Sequence, residues 1–592
     1  MTRFKDFLFS LVDSGPARTD LGWPGILLVA FLAFAVALPL NNYTFGIGDH
    51  WHYLAFINKI ENPRLYPGDI LFDSMPAHHS YFLSGLALIS SEANRAWWFF
   101  VIHCLVSFAS AIFLYRIGLK VTKNRLAALV FLLFFIRPGY GLGISQSFLK
   151  QDNFAFPFLL ASLELFLSRR YLPAFFLAGL MLNIQGQYAF YFLFVYALAL
   201  LPELNQLGFK GVAKIVLAAL IGSLPVFFRG DFFSARHLSP EQLSLYFQIA
   251  RCRVNGSVAV LHWGYDKWQP LMLALAAAGF CWLRKDCRKE IDSRILWLAP
   301  PVILLMLAGI ILVEIFPVHP FFLQLMLFRS APILILILLS YASVLVARLM
   351  GEDSWLRNIF GASWLIILSL FHDQTSRLIL ISIFILIPAT LIFFLVTQSR
   401  GLIKSLAPAR TILILILFSV LLLYTLLEKG SLLAPFHRDI EPDWLEVQLW
   451  ARNNTPINTL FLTPYNQQGF RVYSRRSALV EWKDGAPLTY APVSLIEWWR
   501  RMEKLGYKLN LKTEEIVSPE SVSPETILEM AEQYHTSYII VSKLIQLGLQ
   551  PAFQNSSYQI YQFSSPPEKE GKSLYGADKN EQAEELRRGG KG

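Results

Sequence analysis

The sequence predicts a mainly α fold: a polytopic bundle of about thirteen transmembrane helices with a small extracytoplasmic α/β domain at its C-terminal end. Three observations predict it. Of 592 residues, 55% are hydrophobic and only 16% are charged, a balance that soluble globular chains rarely show. Apolar runs of membrane-spanning length recur from Leu21 to Leu427. Beyond Leu427 they stop, and short strand-like and helix-like patterns alternate as far as Phe563.

The expected spans are Leu21–Leu40, Ala96–Gly118, Leu126–Ile136, Phe154–Ser168, Tyr171–Ile184, Tyr188–Leu201, Val212–Phe228, Pro270–Leu283, Ile295–Phe316, Ala331–Leu349, Ile359–Phe371, Leu378–Val396 and Thr411–Leu427. The first lacks a small-residue cleavage site and reads as a retained helix behind Arg3, Lys5 and Arg18. Basic residues fix the sides. Arg116, Lys120, Lys123 and Arg125 fall on the side of the N-terminus when the runs are counted in order. So do Arg169 with Arg170, Lys210 with Lys214, the cluster from Arg284 to Arg294, Arg348 with Arg357, and Arg400 to Arg410. Cytoplasmic loops collect Lys and Arg, so that side is cytoplasmic and the chain after Glu428 lies outside. The net charge of +10 is therefore a membrane signature, and with no nucleic-acid-binding motif present, nucleic acid is not an expected partner. Cys104, Cys252, Cys281 and Cys287 show neither metal-ligand spacing nor a disulfide framework. The chain divides into a transmembrane part, 1–428, with a long first outer loop at 41–95, an outer α/β domain at 429–565, and a polar tail at 566–592 with a disordered composition.

The outer loops carry the candidate chemistry. The first contains Gly48-Asp49-His50-Trp51-His52-Tyr53 just past the first span. A carboxylate at the membrane surface can take or orient the proton of an attacking hydroxyl or amide, or hold a divalent cation. The competing reading of Asp49 is an N-cap of the helix that follows. Trp51 to Ile57 suits a helix lying at the membrane interface, Arg64 to Asp69 reads as a turn, and Asp69 reads as structural. His78-His79 reads as solvated polar residues. In the second outer loop Asp152 is favoured as the N-cap of the next helix, with a metal or phosphate partner as its functional reading. Asn183 to Tyr188 interrupts two apolar runs, and Gln185 and Gln187 are candidate sugar-contacting donors there. Arg137, Lys150, Arg229, Arg236, Arg251, Arg253 and Arg329 lie on the outer side, and as a set they suit an anionic ligand such as a lipid-borne phosphate. Arg329, at a helix start, is the preferred phosphate ligand.

In the C-terminal segment, Pro442–Arg452, Ser494–Leu505 and Pro524–Tyr534 read as helices. Thr459–Leu462, Gly469–Tyr473, Ala478–Trp482 and Ser537–Val541 read as strands, giving a small domain on a parallel or mixed sheet.

The whole plan resembles the GT-C membrane glycosyltransferases: many spans, N-terminus inside, a long first outer loop with an early acidic residue, and an outer C-terminal domain. Asp49 of Gly48-Asp49-His50 stands at the position of that family's catalytic acid. His50 stands where many members have a second acid. The Trp-Trp-Asp signature of oligosaccharyltransferases is absent, Trp498-Trp499 being followed by Arg500, which points away from protein N-glycosylation. The block from Asn454 through Gly469-Phe470-Arg471 to Trp482-Lys483 is also similar to outer domains of uncharacterised bacterial membrane proteins. The resemblance implies transfer of a sugar, with inversion, from a polyprenyl-phosphate donor to an extracytoplasmic glycan, lipid or protein acceptor at a bacterial inner membrane. In it Asp49 is base or metal ligand. His50, Asp152, Gln185, Gln187, Arg251, Arg253 and Arg329 bind substrate, and no metal ligand set is assigned. The alternatives are a transporter or flippase working through Glu164 and Glu314, or a non-catalytic assembly factor.

Overall fold

A chain in hydrocarbon must satisfy every backbone N–H and C=O within itself, so apolar runs of this length become helices. The computed structural model describes residues 22–76, 78, 80–136, 143–228, 238–258, 260–263, 265–284, 287, 289, 291–351, 361–365, 368 and 440–563. Helix α1 (Gly22–Leu40) leads into the first loop, which folds as α2 (His50–Glu61), α3 (Ile70–Ser74) and α4 (Tyr81–Ile89). Then come α5 (Arg95–Thr122), α6 (Arg125–Leu133), α7 (Gln151–Leu167), α8 (Tyr171–Met181), α9 (Gly186–Ala199) and α10 (Leu204–Phe227). Helix α11 (Pro240–Arg253) precedes α12 (Tyr265–Leu283), α13 (Ala299–Gly309), α14 (Pro320–Leu325) and α15 (Ala331–Gly351). Among the described residues five stretches are long and apolar enough to cross a membrane: Gly22–Leu40, Arg95–Thr122, Leu201–Phe227, Ser293–Ile315 and Pro320–Met350. Every expected span up to Ala331–Leu349 falls on a helix, several of them shorter than a full crossing. The runs Leu378–Val396 and Thr411–Leu427, most of Ile359–Phe371, and the tail lie outside the described residues.

Burial separates the inner helices from the outer ones. The stretch Pro320–Met350 is the most enclosed, whereas α10 turns Leu217, Leu220, Ile221, Leu224 and Phe227 outward. A row of large apolar side chains on the outside is unfavourable in water and is what a lipid-facing helix presents.

The C-terminal region comprises α16 (Pro442–Asn454), β1 (Leu460–Leu462), α17 (Phe470–Ser474), β2 (Ser477–Ala478), α18 (Pro492–Lys504), β3 (Lys508–Asn510), β4 (Glu515–Val517), α19 (Pro524–Gln533), β5 (Tyr538–Ser542), β6 (Pro551–Gln554) and β7 (Tyr558–Gln562). Five strands form one mixed sheet in the order β2-β1-β5-β7-β6, with β1 parallel to β2 and β5, and β7 antiparallel to β5 and β6. Side chains alternate across it. Phe461, Ile540 and Ile560 pack on Trp444, Val447 and Ala451 of α16. Leu462, Ile539, Val541 and Tyr561 belong to a second core together with Leu54, Phe56 and Ile57 of α2. The first loop and the C-terminal region thus share one hydrophobic core, which fixes α2 against the sheet region.

Two local expectations give way. Gly469–Tyr473 is not a strand. Gly469 takes φ +76°, and the Glu481 carboxylate accepts the Gly469 and Phe470 N–H groups at 3.3 and 2.8 Å, starting helix α17. Tertiary contacts override the β-forming side chains here. Ala478–Trp482 pairs only at Ser477–Ala478 and then turns into a 3-10 helix at Trp482–Gly485. The helix expected at the membrane surface, Trp51–Ile57, does form, but its Tyr53, Leu54, Ala55, Phe56 and Ile57 are covered by protein.

Candidate functional site

Asp49 is set by the residues on either side. Gly48 has φ +57°, and a Cβ there would stand 2.5 Å from Cζ of Phe148, so only glycine lets the chain pass this ring. Across the junction, a Cβ on Gly469 would stand 2.2 Å from Trp51 Cε3, which lets the C-terminal region close onto α2. Asp49 occupies the N-cap position of α2 but makes no side-chain cap bond. Its Oδ1 instead meets Lys483 Nζ from the C-terminal region at 2.8 Å. The Lys150 ammonium lies 4.4 Å over the Phe148 ring. Burial works to raise the pKa of Asp49, but the charges of His52, Lys483 and Lys150 outweigh it and hold the carboxyl well below the usual carboxylate range.

A second carboxylate lies in the first turn of α7. Lys150, not Asp152, is the N-cap of that helix. Asp152 is the second residue of the helix, past the cap position, and its carboxylate is engaged elsewhere: its Oδ2 accepts from Arg329 Nη2 at 3.0 Å and its Oδ1 from the Gln185 amide. Arg329 sits on the 3-10 turn Leu327–Ser330, lies 5.5 Å from the Tyr188 ring centre, and donates from Nη1 to Gln187 Oε1 at 2.9 Å. Gln187 in turn donates to the Gln324 carbonyl at 2.6 Å and to the Tyr490 hydroxyl at 2.9 Å. Gln185 also caps α9 through the Gln187 N–H. Four expected residues (Asp152, Gln185, Gln187 and Arg329) therefore form one network. Tyr53 links it to Asp49: burial, then the charges of Asp49 and Asp152, push its phenol well above the ordinary value.

The remaining expected residues are placed differently. His50 is fully enclosed. Its Nδ1 accepts the Gly46 N–H at 3.0 Å and its Nε2 lies 2.9 Å from the Leu149 carbonyl, while burial pushes its pKa down to about 4. A ring with both nitrogens engaged by backbone positions the loop and has no face for substrate. Arg251 pairs with Glu514. Arg253 stacks 4.6 Å over Trp482 and donates to its carbonyl at 3.1 Å. Both tie α11 to the C-terminal region, and of the two only Arg253 feels the charge of Asp49. Of the acids a transporter would use, Glu164 accepts from Arg116 Nη2 at 2.6 Å, and Glu314 accepts the Val260 and Leu261 N–H groups at 2.7 and 2.9 Å. Arg229, Arg236 and His79 lie outside the described residues. Lys483, Tyr490, Tyr53 and Tyr188 join the site without having been singled out for it.

A divalent cation does not fit this arrangement. Asp49 and Asp152 each already face a cationic side chain, and among the described residues no three His, Cys, Asp or Glu side chains converge in ligand geometry.

Beside the site lies a sealed ionic cluster. Arg471 Nε meets Asp69 Oδ2 at 2.6 Å, Nη1 meets Glu481 at 3.1 Å and Asp484 at 2.7 Å, and Nη2 meets Asp484 at 2.9 Å. Asp69 also caps α3 through the Leu71 N–H at 3.0 Å. Burial and the neighbouring carboxylates raise Glu481 to about 7 against the opposing charge of Arg471.

These features define a multi-pass membrane protein with a polar site where the first loop, the start of α7, the α8–α9 corner and the C-terminal region meet. Residues 442–505 match the model of a domain of unknown function, DUF6798, and that stretch supplies Arg471, Glu481, Lys483, Asp484 and Tyr490. Two solved structures are similar to this chain at low identity. The archaeal oligosaccharyltransferase AglB from Archaeoglobus fulgidus, in complex with an inhibitory peptide and a dolichol-phosphate, is 11% identical, with a TM-score of 0.44 over 87% of this chain and 69% of that one. ArnT from Cupriavidus metallidurans, bound to undecaprenyl phosphate, is 10% identical, with a TM-score of 0.41 over 92% of this chain and 99% of that one. No curated protein matches the sequence.

Proposed function

We propose that this chain is a membrane glycosyltransferase that moves a sugar from a polyprenyl-phosphate donor to an extracytoplasmic acceptor. The observation that carries this reading is the pair of partly exposed carboxylates, Asp49 and Asp152, each held by one cation. Asp49, kept ionised at neutral pH, is a weak base. Its work is to hold and orient the acceptor's hydroxyl or amide and to take the proton late, as the bond from sugar carbon to phosphate oxygen breaks. Arg329 supplies positive charge for the departing phosphate, and Asp152 with Gln187 keeps its guanidinium aimed. Gln185 and Gln187, expected to contact the sugar, have their amides taken up by Asp152, Arg329, Gln324 and Tyr490, and on this reading they position the carboxylate and the guanidinium. On this reading the N-terminus is cytoplasmic, the 429–565 domain is outside, and the membrane is a bacterial inner membrane.

The test uses membranes containing the full chain or its Asp152→Asn variant, with lipid extracts followed by mass spectrometry. The expected result is consumption of a polyprenyl-linked sugar that the variant slows at least about 100-fold. Equal consumption by a folded variant would remove Asp152 from the reaction.

A further inference from the structure

The end of the bundle away from Asp152 holds a cavity that the proposed reaction does not use. Its volume is about 680 Å³, and its wall includes Arg116, Lys120, Arg170, Arg294, Glu164 and Phe113. Along α7, Glu164 stands twelve residues beyond Asp152, about 18 Å at 1.5 Å per residue. Two of the four cations are already satisfied. Arg116 donates to Glu164 at 2.6 Å and stacks 4.6 Å over Trp23, and Arg294 Nε donates to Asp292 at 3.1 Å. Lys120 and Arg170 make no ion pair among the described residues, so the cavity carries an excess of two positive charges. Cations gathered around a space of this size favour an anion that several N–H donors can share. Phe113, Leu165 and Leu167 give the same space an apolar wall, which a lipid tail would cover.

We propose that this cavity binds a phosphate group between Lys120 and Arg170, with Arg116 and Arg294 as the fixed side of the cradle. The phosphate comes from a lipid headgroup of the facing leaflet or from solution, and the two sources separate experimentally. Neither Lys120 nor Arg170 belongs to the proposed transfer site, so the inference stands or falls apart from it.

The experiment follows thermal unfolding of the full chain in a neutral detergent at constant ionic strength. Dioleoyl phosphatidylglycerol, dioleoyl phosphatidylcholine or sodium phosphate is titrated against wild type, Arg170→Gln and Lys120→Gln. The expected result is a saturable rise in Tm whose midpoint moves roughly tenfold higher in each variant, as loss of one charge-assisted hydrogen bond implies. A rise with phosphatidylglycerol alone assigns the site to a lipid headgroup, and one with sodium phosphate assigns it to a soluble phosphate. Unliganded Tm equal to wild type shows that a variant is folded. Arg170 is exposed and makes no ion pair among the described residues, so its variant serves even if Lys120→Gln misfolds. No saturable rise with either phosphate probe, or midpoints unchanged in both folded variants, would overturn the proposal.

Discussion

Two groups of carboxylates and cations, built with the same chemistry, flank helix α2, and they differ in access to solvent. In the Asp69–Arg471–Glu481–Asp484 group no side chain is more than 4% exposed. In the Asp49–Lys483 and Asp152–Arg329 pairs every side chain is between 20% and 33% exposed. A sealed ionic group has paid the desolvation of its charges and holds together only while each partner is present. A half-open pair can exchange a protein partner for a ligand. The first group is the joint between the first loop and the C-terminal region, and the second is where the proposed function puts the chemistry.

Arg471→Ala should give the largest effect, because it strands three buried acids. We expect a loss of about 3–5 kcal/mol, read as a fall in Tm or in yield of folded protein. A variant of wild-type stability would dissolve the distinction between the two groups. Arg329→Lys should act on the open group. It keeps the charge but loses the planar fork, so transfer should fall about 100-fold while Tm changes little, and a normal rate would take Arg329 out of phosphate binding.

Glu481 makes the sealed group sensitive to pH. Its folded pKa, about 7, lies above the ordinary 4.5, so the folded state binds more protons than the unfolded state between those values. Its contribution is therefore complete below the ordinary value and is lost as pH rises through about 7. Glu481→Gln should flatten the decline in Tm between about pH 5 and pH 8, and an unchanged slope would contradict the assignment. Lys483→Met should have the smallest effect on stability, within about 0.5 kcal/mol, because the pair is partly exposed. Removing that charge lets the Asp49 pKa rise toward the ordinary range, so the acid limb of the rate profile should move to higher pH.

What the sequence revealed follows the range of the forces involved. Span positions depend on runs of apolar residues within one segment, and the helices of the C-terminal region on local periodicity, so both were legible. Asp49, Asp152, Gln185, Gln187 and Arg329 were legible because polar residues beside or between apolar runs stand out. Lys483 and Tyr490 were not, because they reach the site from more than 150 residues away in sequence, across the shared core. His50 misled for the converse reason. A histidine next to a candidate acid looks functional, and only the Gly46 N–H and Leu149 carbonyl reveal that both its nitrogens are occupied. Helix α17 was hidden because the carboxylate that starts it belongs to Glu481, on a later segment.

The most direct measurement pairs rate with stability in Asp49→Asn. The full chain and the variant are prepared in the same membranes, and transfer from polyprenyl-linked sugar is timed alongside thermal unfolding. The expected result is a Tm close to wild type, since the pair with Lys483 is half-open and contributes little, and a rate lower by at least about 100-fold. A folded Asp49→Asn protein that transfers sugar at the wild-type rate would contradict it.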